Sequence, residues 1–389
     1  MLKIMRRVIA GFVGFYLALW GLTVYIHYPS PVEAVTLGLA APSESGALMP
    51  FHTVTATSPS ALETTGAEKM PQSIDWYGNS TAWSDFLTAT NTNAFLVIRD
   101  GVLTHEWYRD GITADQKLPS YSVAKSVVSI LAGQLIAAGK LSESDPFIKY
   151  YPEYSTGTTF DTVTIGQLLD MRSGVAVADN YPTGPSGWGA PIAQMYATTD
   201  LPNFVLNHRE VYWKPGSQVE YRSIDTQLVG MVIQKITGKT LSDLLQQKVW
   251  APLGAEFDAT WNVDHVGGFE KGFCCLNMAA RDYAKLGMLM VNEGVATPTA
   301  SGVSTQVVPA AWLTRMGTSV STLEHGWGYA AFTWLPYANT QMFLGLHGQF
   351  VYSVPGTNTV IIKLSDNLTD VDNEETVKIL QQIATTPPA

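Results

Sequence analysis

Cysteine is nearly absent from this sequence of 389 residues, and the only two cysteines, Cys274 and Cys275, are neighbours. This excludes a disulfide-rich scaffold and a zinc site built from cysteines. A bond between adjacent cysteines would be strained. We therefore expect two separate thiols that behave as small, buried apolar side chains.

Charge is also scarce, since charged residues make up 14% of the chain and the net charge is −10. A nucleic-acid surface needs a surplus of lysine and arginine, so we expect no nucleic-acid partner. The hydrophobic fraction is 46%, which is far above that of a disordered chain. The length predicts two or three structural units.

A single long uncharged run lies near the N-terminus, over residues 8–26, behind Lys3, Arg6 and Arg7. Nineteen such residues are enough to cross a bilayer as a helix. The basic cluster should stay cytoplasmic, which places the rest of the chain on the periplasmic or extracellular side. We expect residues 1–30 to form a signal anchor or transmembrane helix; a cleaved signal peptide is the alternative. Residues 31–72, rich in Ser, Thr, Ala and Pro, read as a tether or an extended wrap.

The folded part is predicted to start near residue 73. Residues 94–99 and 102–108 are β-prone runs joined by Asp100-Gly101, a strong hairpin signal. Residues 122–138 have helical spacing of apolar positions. The other predicted helices span residues 164–171, 225–236, 277–291 and 372–384, and the other predicted strands span residues 328–335, 342–346, 349–354 and 359–364. This order predicts an α+β domain over residues 73–389: an antiparallel sheet assembled from both ends and flanked by terminal helices, with a mainly helical insertion over about 141–300.

Ser122 and Lys125 carry the strongest chemical signal. They form an S-x-x-K pattern at the start of the predicted helix, and residues i and i+3 share a helix face. A desolvated lysine can serve as the base that a serine nucleophile needs. The free N–H groups of the helix start favour negative charge beside Ser122.

Two further motifs gain weight from their position. Tyr221-Arg222-Ser223 lies between a turn and a predicted helix, where a second acid or base group is often held. His347-Gly348-Gln349 lies in a strand-rich stretch, and glycine inside a strand often marks a close approach by a ligand or another backbone. A buried tyrosine and a strand bulge are the ordinary alternatives for these two motifs.

Other catalytic templates fail: the sequence has no G-x-S-x-G, no H-E-x-x-H and no Walker A motif. The seven histidines are scattered, so we expect no metal site and no organic cofactor. A Ser-His-Asp triad stays open as an alternative to the Ser–Lys pair.

Taken together and in this order, the three motifs resemble the serine β-lactamase and penicillin-binding superfamily. The resemblance is strongest to its class C-like branch, which includes family VIII carboxylesterases, D-Ala-D-Ala peptidases and 6-aminohexanoate-dimer hydrolases, and it covers roughly residues 74–364. It implies a β-lactamase-like fold, Ser122 as the acylated nucleophile, Lys125 as its partner and Tyr221 as the proton shuttle. It further implies substrate contacts by Tyr181 and Ser223, with the oxyanion hole formed by the N–H groups of Ser122 and of a residue near Gln349.

One departure from the family pattern bears on specificity. Penicillin-binding relatives usually carry Lys-Thr-Gly as their third motif, whereas this chain has Leu346-His347-Gly348. The resemblance therefore implies an exported serine hydrolase that cleaves small esters or amides through an acyl-enzyme. The alternatives are a D,D-peptidase or weak β-lactamase, and a non-catalytic protein that binds cell-wall peptides.

Overall fold

Strands from both ends of the chain form the central sheet. The structure is a computed structural model that describes residues 2–180, 189–298, 300–367 and 372–388. Its strands are, in chain order, Phe51–Val54 (β1), Ser73–Trp76 (β2), Asn79–Ala82 (β3), Thr92–Arg99 (β4), Val102–Tyr108 (β5), Leu118–Pro119 (β6), Ala259–Asn262 (β7), Leu276–Met278 (β8), Val295–Ala296 (β9), Thr305–Gln306 (β10), Ser321–Thr322 (β11), Gly328–Ala330 (β12), Thr333–Leu335 (β13), Gln341–Gly345 (β14), Gln349–Val354 (β15) and Thr359–Ser365 (β16). Within the described residues, eight of them form one antiparallel sheet in the order β11-β12-β13-β14-β15-β16-β4-β5.

Helices cover this sheet and fill the region between its two halves. They are, in chain order, Leu2–Tyr25 (α1), Pro31–Leu39 (α2), Trp83–Ala89 (α3), Val123–Ala137 (α4), Ile165–Leu169 (α5), Pro191–Ala197 (α6), Leu201–Asn207 (α7), Ser223–Thr237 (α8), Leu241–Leu245 (α9), Ala251–Leu253 (α10), Ala280–Val291 (α11), Ala310–Met316 (α12) and Asn373–Thr385 (α13). Helix α4 contacts α8 on one side and strand β14 on the other. Its residues 123–133 are all buried, as expected for a helix that is apolar all round.

Helix α11 lies directly on the sheet because one residue on its contact face lacks a side chain. A Cβ atom at Gly287 would come within 3.0 Å of Val351 on β15 and closer still to Val360 on β16. The backbone of α11 is also bonded to the sheet, since Ser353 Oγ donates to Gly287 O at 3.1 Å. This packing encloses the core between α11 and strands β15 and β16.

The predicted α+β architecture is confirmed. The predicted hairpin is β4 and β5, the predicted strands 342–346, 349–354 and 359–364 are β14 to β16, and the closing helix is α13. The first and last halves of the sheet meet where β16 pairs with β4, with Thr359 opposite Arg99.

Two element predictions are wrong in detail. Residues 328–335 form a hairpin of two strands, since Ala331 and Phe332 adopt left-handed φ angles of 44° and 59° and reverse the chain. Residues 277–278 belong to β8, and the helix begins only at Ala280. Apolar spacing alone cannot separate these cases, because β8 is held by pairing with the distant β7 and β6.

Parts of the segment between residues 31 and 72, predicted to be a tether or an extended wrap, lie against the rest of the domain. Strand β1 pairs with β7 in a second, four-stranded sheet, β1-β7-β8-β6. We call residues 31–48, which comprise α2 and the 3₁₀-helix Pro42–Leu48, the strap. The buried Asn262 side chain donates to Gly46 O at 2.8 Å and to Met49 O at 3.2 Å. These bonds hold the end of the strap against the domain.

Helix α1 stands apart from this packing. The stretch Lys3–Tyr25 of this helix is long enough and apolar enough to cross a membrane, judged by length and composition. Most of its side chains are exposed. A signal sequence near an N-terminus has the same properties.

We expect Asn262→Ala to loosen the strap. The substitution leaves the carbonyls of Gly46 and Met49 without their donor, so the free energy of unfolding should fall by about 1–3 kcal/mol. Limited proteolysis should then cut residues 31–50 faster than in the unmodified chain. Asn207→Ala is the matched control, because Asn207 is exposed and its side chain bonds only to Asn203 within α7. Equal cleavage rates in the two variants would contradict the anchoring role of Asn262.

Candidate active site

Ser122 is positioned by the small sheet. Pairing of β6 with β8 brings Ser120 next to Leu276, and the two residues exchange bonds: Ser120 N donates to Leu276 O at 2.7 Å, and Leu276 N donates to Ser120 Oγ at 3.2 Å. Tyr121 then takes a left-handed φ of 43°, a conformation that a bulky residue adopts only when its surroundings enforce it. This turn places Ser122 at the open N-terminal end of α4, as the sequence predicts.

Lys125 is buried and its amine contacts three oxygens. Its Nζ lies 2.8 Å from Ser122 Oγ, 2.9 Å from Ser223 Oγ and 2.8 Å from Phe273 O. Burial lowers the pKa of Lys125 to about 8, although the negative charge of Asp179 opposes that shift. A substantial fraction of the side chain is therefore neutral amine near physiological pH.

The surrounding bonds leave that amine ready to act as a base. Ser223 Oγ donates its own proton to Asp179 Oδ2 at 2.5 Å, so its oxygen is left to accept from Lys125. The neutral amine can then donate to Ser223 Oγ and Phe273 O and turn its lone pair toward the hydroxyl proton of Ser122. This arrangement suits proton removal from Ser122.

Tyr221 lies beside both Ser122 and Lys125. Its ring stacks on Trp334 with centroids 5.6 Å apart, and Lys125 Nζ lies 5.0 Å from its ring centroid. Burial raises the pKa of Tyr221 well above its ordinary value, and a hydrogen bond with Ser122 only partly opposes this. The phenol therefore stays protonated at neutral pH and is available as a proton donor.

The loop that carries Tyr221 is held by its neighbour Arg222. That guanidinium is almost completely buried, donates to Val175 O at 2.7 Å, and lies over the Trp213 ring at 4.7 Å. It also pairs with Glu220 at 2.8 Å. The conformation of the Tyr221 loop is thus fixed from the side opposite Ser122.

Two cavities meet at Ser122. The first, which we call the acidic cavity, has a volume of about 460 Å³ and is lined on one side by Asp179, Glu220 and Glu324 and on the other by Tyr221 and Trp334. The second, which we call the strap pocket, has a volume of about 310 Å³. Its walls come from the strap, α6, Phe273 and Leu346. No lysine or arginine of the described residues lines either cavity.

The third motif is only partly at the site. His347 lines the strap pocket, but its Nδ1 lies 2.6 Å from the carbonyl oxygen of Asn367. A carbonyl only accepts, so Nδ1 carries the proton. Burial lowers the pKa of His347, and the ring is therefore neutral at pH 7.

Gly348 and Gln349 lie outside both cavities at Ser122. Gln349 is buried in β15, where its side chain donates to Ser365 O at 2.7 Å. Leu346, which directly follows β14, lines both cavities. Tyr181 lies outside the described residues.

Sequence reasoning missed Asp179, Phe273 and Trp334. Asp179 binds Ser223 twice, at its N–H at 2.7 Å and at its hydroxyl. Phe273 acts through a backbone carbonyl, which has no residue signature. Asp179 precedes the predicted contact residue Tyr181 by two positions, and that is the one signal that pointed near it.

The two cysteines correct an expectation. Both are buried, as predicted, but Cys274 and Cys275 are joined by a disulfide. Cys275 takes a left-handed φ of 71°, in the turn between Phe273 and Leu276. Cys274 lines the strap pocket, so this bond forms part of the wall beside Ser122.

One group of possible metal ligands occurs among the described residues, next in sequence to Glu324 and Asn373 of the acidic cavity. His325, Asp372 and Glu374 bring one ligand atom each within 4.8 Å of one another. Glu374 already pairs with Lys378 at 3.0 Å, and exposed acidic groups of this kind are common on protein surfaces.

Comparison with known proteins shows the family of this chain. The Beta-lactamase family model matches residues 87–384, so the chain belongs to the β-lactamase family. It is 29% identical over 307 residues to the 6-aminohexanoate-dimer hydrolase of Paenarthrobacter ureafaciens, covering 72% of this chain and 74% of that protein. It is 28% identical over 143 residues to a beta-lactamase of Escherichia coli, covering 36% of this chain and 33% of that protein.

Solved structures support the fold. A Bacillus anthracis protein described as a candidate 6-aminohexanoate-dimer hydrolase superposes with a TM-score of 0.78 at 20% identity, covering 92% of this chain and 94% of that one. A family VIII carboxylesterase superposes with a TM-score of 0.60 at 16% identity, covering 77% and 93%. The protein is thus an enzyme of the serine hydrolase class that works through an acyl-enzyme, as the sequence resemblance implies.

The pKa of Lys125 predicts the pH dependence of acylation. The neutral amine is the active form, so kcat/KM should rise with pH, reach half its limit near pH 8 and then level off. Ionisation of Tyr221 should not reverse this below pH 10, because its pKa is raised. The measurement is a profile of kcat/KM from pH 6 to 10 with an ester that does not itself ionise in that range.

The variant Asp179→Asn provides a second test of whether the pH profile reports Lys125. Removing the carboxylate charge that raises the pKa of Lys125 should move the midpoint to lower pH. A midpoint that stays in place or moves upward would show that the profile reports another group.

Proposed function

We propose that this protein is a membrane-anchored hydrolase, exposed outside the cytoplasm, that cleaves small esters or amides through an acyl-enzyme on Ser122. The observation that carries the proposal is the buried amine of Lys125, 2.8 Å from Ser122 Oγ and held by Ser223 and Phe273. The basic residues Lys3, Arg6 and Arg7, in the first two turns of helix α1, support the anchored, exported location.

Acylation begins at the Ser122 hydroxyl. Lys125 accepts the proton as Oγ attacks the carbonyl carbon of the substrate, and a tetrahedral intermediate with an oxyanion forms. The N–H of Ser122, at the start of α4, is one donor to that oxyanion. Leu346, which lines both cavities directly after β14, supplies the second N–H.

Collapse of the intermediate breaks the bond to the leaving group. Tyr221 is protonated and lies in the acidic cavity, so it gives its proton to the departing alcohol or amine and regains one through Lys125. Water then attacks the acyl-Ser122 ester with the same groups acting in reverse, which releases the carboxylic acid and restores Ser122. Lys125 and Tyr221 act as one coupled unit.

The lining of the cavities disfavours a penicillin as substrate. A penicillin carboxylate requires a fixed cation, and the described residues of both cavities include no lysine or arginine. Asp179, Glu220 and Glu324 add negative charge to one of them. The Paenarthrobacter relative, a 6-aminohexanoate-dimer hydrolase, is therefore the better guide to the class of reaction.

The nucleophile assignment predicts that Ser122→Ala abolishes covalent labelling by a fluorophosphonate while the protein still folds. The lost hydroxyl is at a helix start, and its side chain does not cap that helix, so stability should change by about 1 kcal/mol or less. Mass spectrometry of the labelled peptide is the measurement. Ser129 is another serine on the same helix. The variant Ser129→Ala is therefore the matched control and should be labelled normally. Labelling that survives in Ser122→Ala would place the nucleophile elsewhere.

The specificity argument predicts that kcat/KM for p-nitrophenyl butyrate exceeds that for benzylpenicillin by on the order of a hundredfold or more at pH 7. Burial lowers the pKa of His347 below its ordinary value, so the ring is mostly neutral at pH 7 and above, and the penicillin-to-ester ratio should stay flat from pH 8 to 7. His347→Lys should raise that ratio by supplying a cation. A preference for benzylpenicillin at pH 7 would instead favour the peptidase or β-lactamase alternative.

A further inference from the structure

The strap forms one wall of the pocket beside the nucleophile. Leu37, Ala40 and Pro42 of the strap face Ile192 of α6, with Phe273 and Leu346 across the pocket. Ser122 itself lies in the lining. A segment that precedes the predicted domain boundary by some thirty residues therefore contributes directly to the surface a substrate would meet.

Polar bonds fix this wall in place. Ser43 donates to both oxygens of Asp366, from its N–H at 2.8 Å and from its hydroxyl at 2.6 Å, and Asp366 is paired with Arg109 at 3.3 Å. Ser45 Oγ lies 3.4 Å from the hydroxyl of Tyr121, the residue next to the nucleophile. The strap is thus bonded to the same turn that positions Ser122.

The two cavities at Ser122 are placed to bind different parts of the substrate. Tyr221, the proton donor to the leaving group, lines the acidic cavity and not the strap pocket. The leaving group therefore departs toward the acidic cavity. The strap pocket, on the other side of Ser122, is left for the group that stays attached to the carbonyl.

We propose that the strap is a specificity element, and that the strap pocket binds an uncharged aliphatic acyl chain; this rests on the proposed function of Ser122. The pocket has no charged side chain among its described lining residues, so a charged acyl group would be desolvated without a partner. Its volume of about 310 Å³ has room for roughly ten water-sized groups, so an acyl chain of about six to eight carbons fits inside it.

The test compares p-nitrophenyl acetate, butyrate, hexanoate and octanoate on the full chain in one detergent. Each buried methylene should raise kcat/KM by up to about fourfold until the pocket is full. We expect the hexanoate-to-acetate ratio of kcat/KM to be at least about tenfold. A ratio near one would overturn the proposal.

Neighbouring leucines on α2 provide a matched pair of variants. Leu37 lines the pocket, whereas Leu39 is 80% exposed and does not. Leu37→Ala should lower the hexanoate-to-acetate ratio by about four- to sixteenfold, the loss of one or two methylene contacts. Leu39→Ala should leave the ratio unchanged. Equal ratios in the two variants would overturn the role of the strap.

A second variant tests the pocket from outside the strap, so that a folding defect in the strap does not decide the result. Ala193 on α6 lines the same pocket, and Ala193→Phe fills it from the opposite wall, so the preferred chain should become shorter. An unchanged chain-length profile would contradict the assignment of the pocket. Failure of the proposed function is distinguishable, because hydrolysis of every ester would then be absent or would persist in Ser122→Ala.

Discussion

The buried amine of Lys125 is the constraint on which the rest of the site depends. Removing an amine from water costs free energy unless polar groups surround it. Here the partners come from three places: Ser122 on the same helix, Ser223 on α8 and the Phe273 carbonyl before β8. A displacement of α8 or of the Phe273 turn relative to α4 would deprive the amine of one of these partners. The catalytic geometry therefore relies on the packing of the helical region against α4.

The same packing gives the site two different cavities at Ser122. The loop before α8 carries Tyr221 and sets the acidic cavity on one side of Ser122, while the strap and α6 close an apolar pocket on the other. A substrate bound across Ser122 thus meets charge and a proton donor at one end and hydrocarbon at the other. The strap follows the apolar helix α1 directly, so the segment that links the domain to α1 also shapes its substrate pocket.

Sequence patterns predicted the elements whose signals are local. Asp100-Gly101 marks the β4–β5 hairpin, and apolar spacing marks α4, because both depend on residues a few positions apart. The errors occurred where distant pairing decides. Residues 277–278 are strand because β7 and β6 lie beside them.

By itself, the sequence determined that Ser122 and Lys125 share one face at the start of a buried helix, since a spacing of three residues on a helix has a fixed geometry. Only the tertiary structure decided that Ser223, Phe273 and Asp179 complete the site and that residues 37–45 close its pocket. Phe273 is 148 positions from Lys125, and Asp179 is 44 positions from Ser223. Contacts at such separations depend on how whole elements pack, and side-chain and backbone groups recruited in this way leave no periodic or spacing signal in the chain.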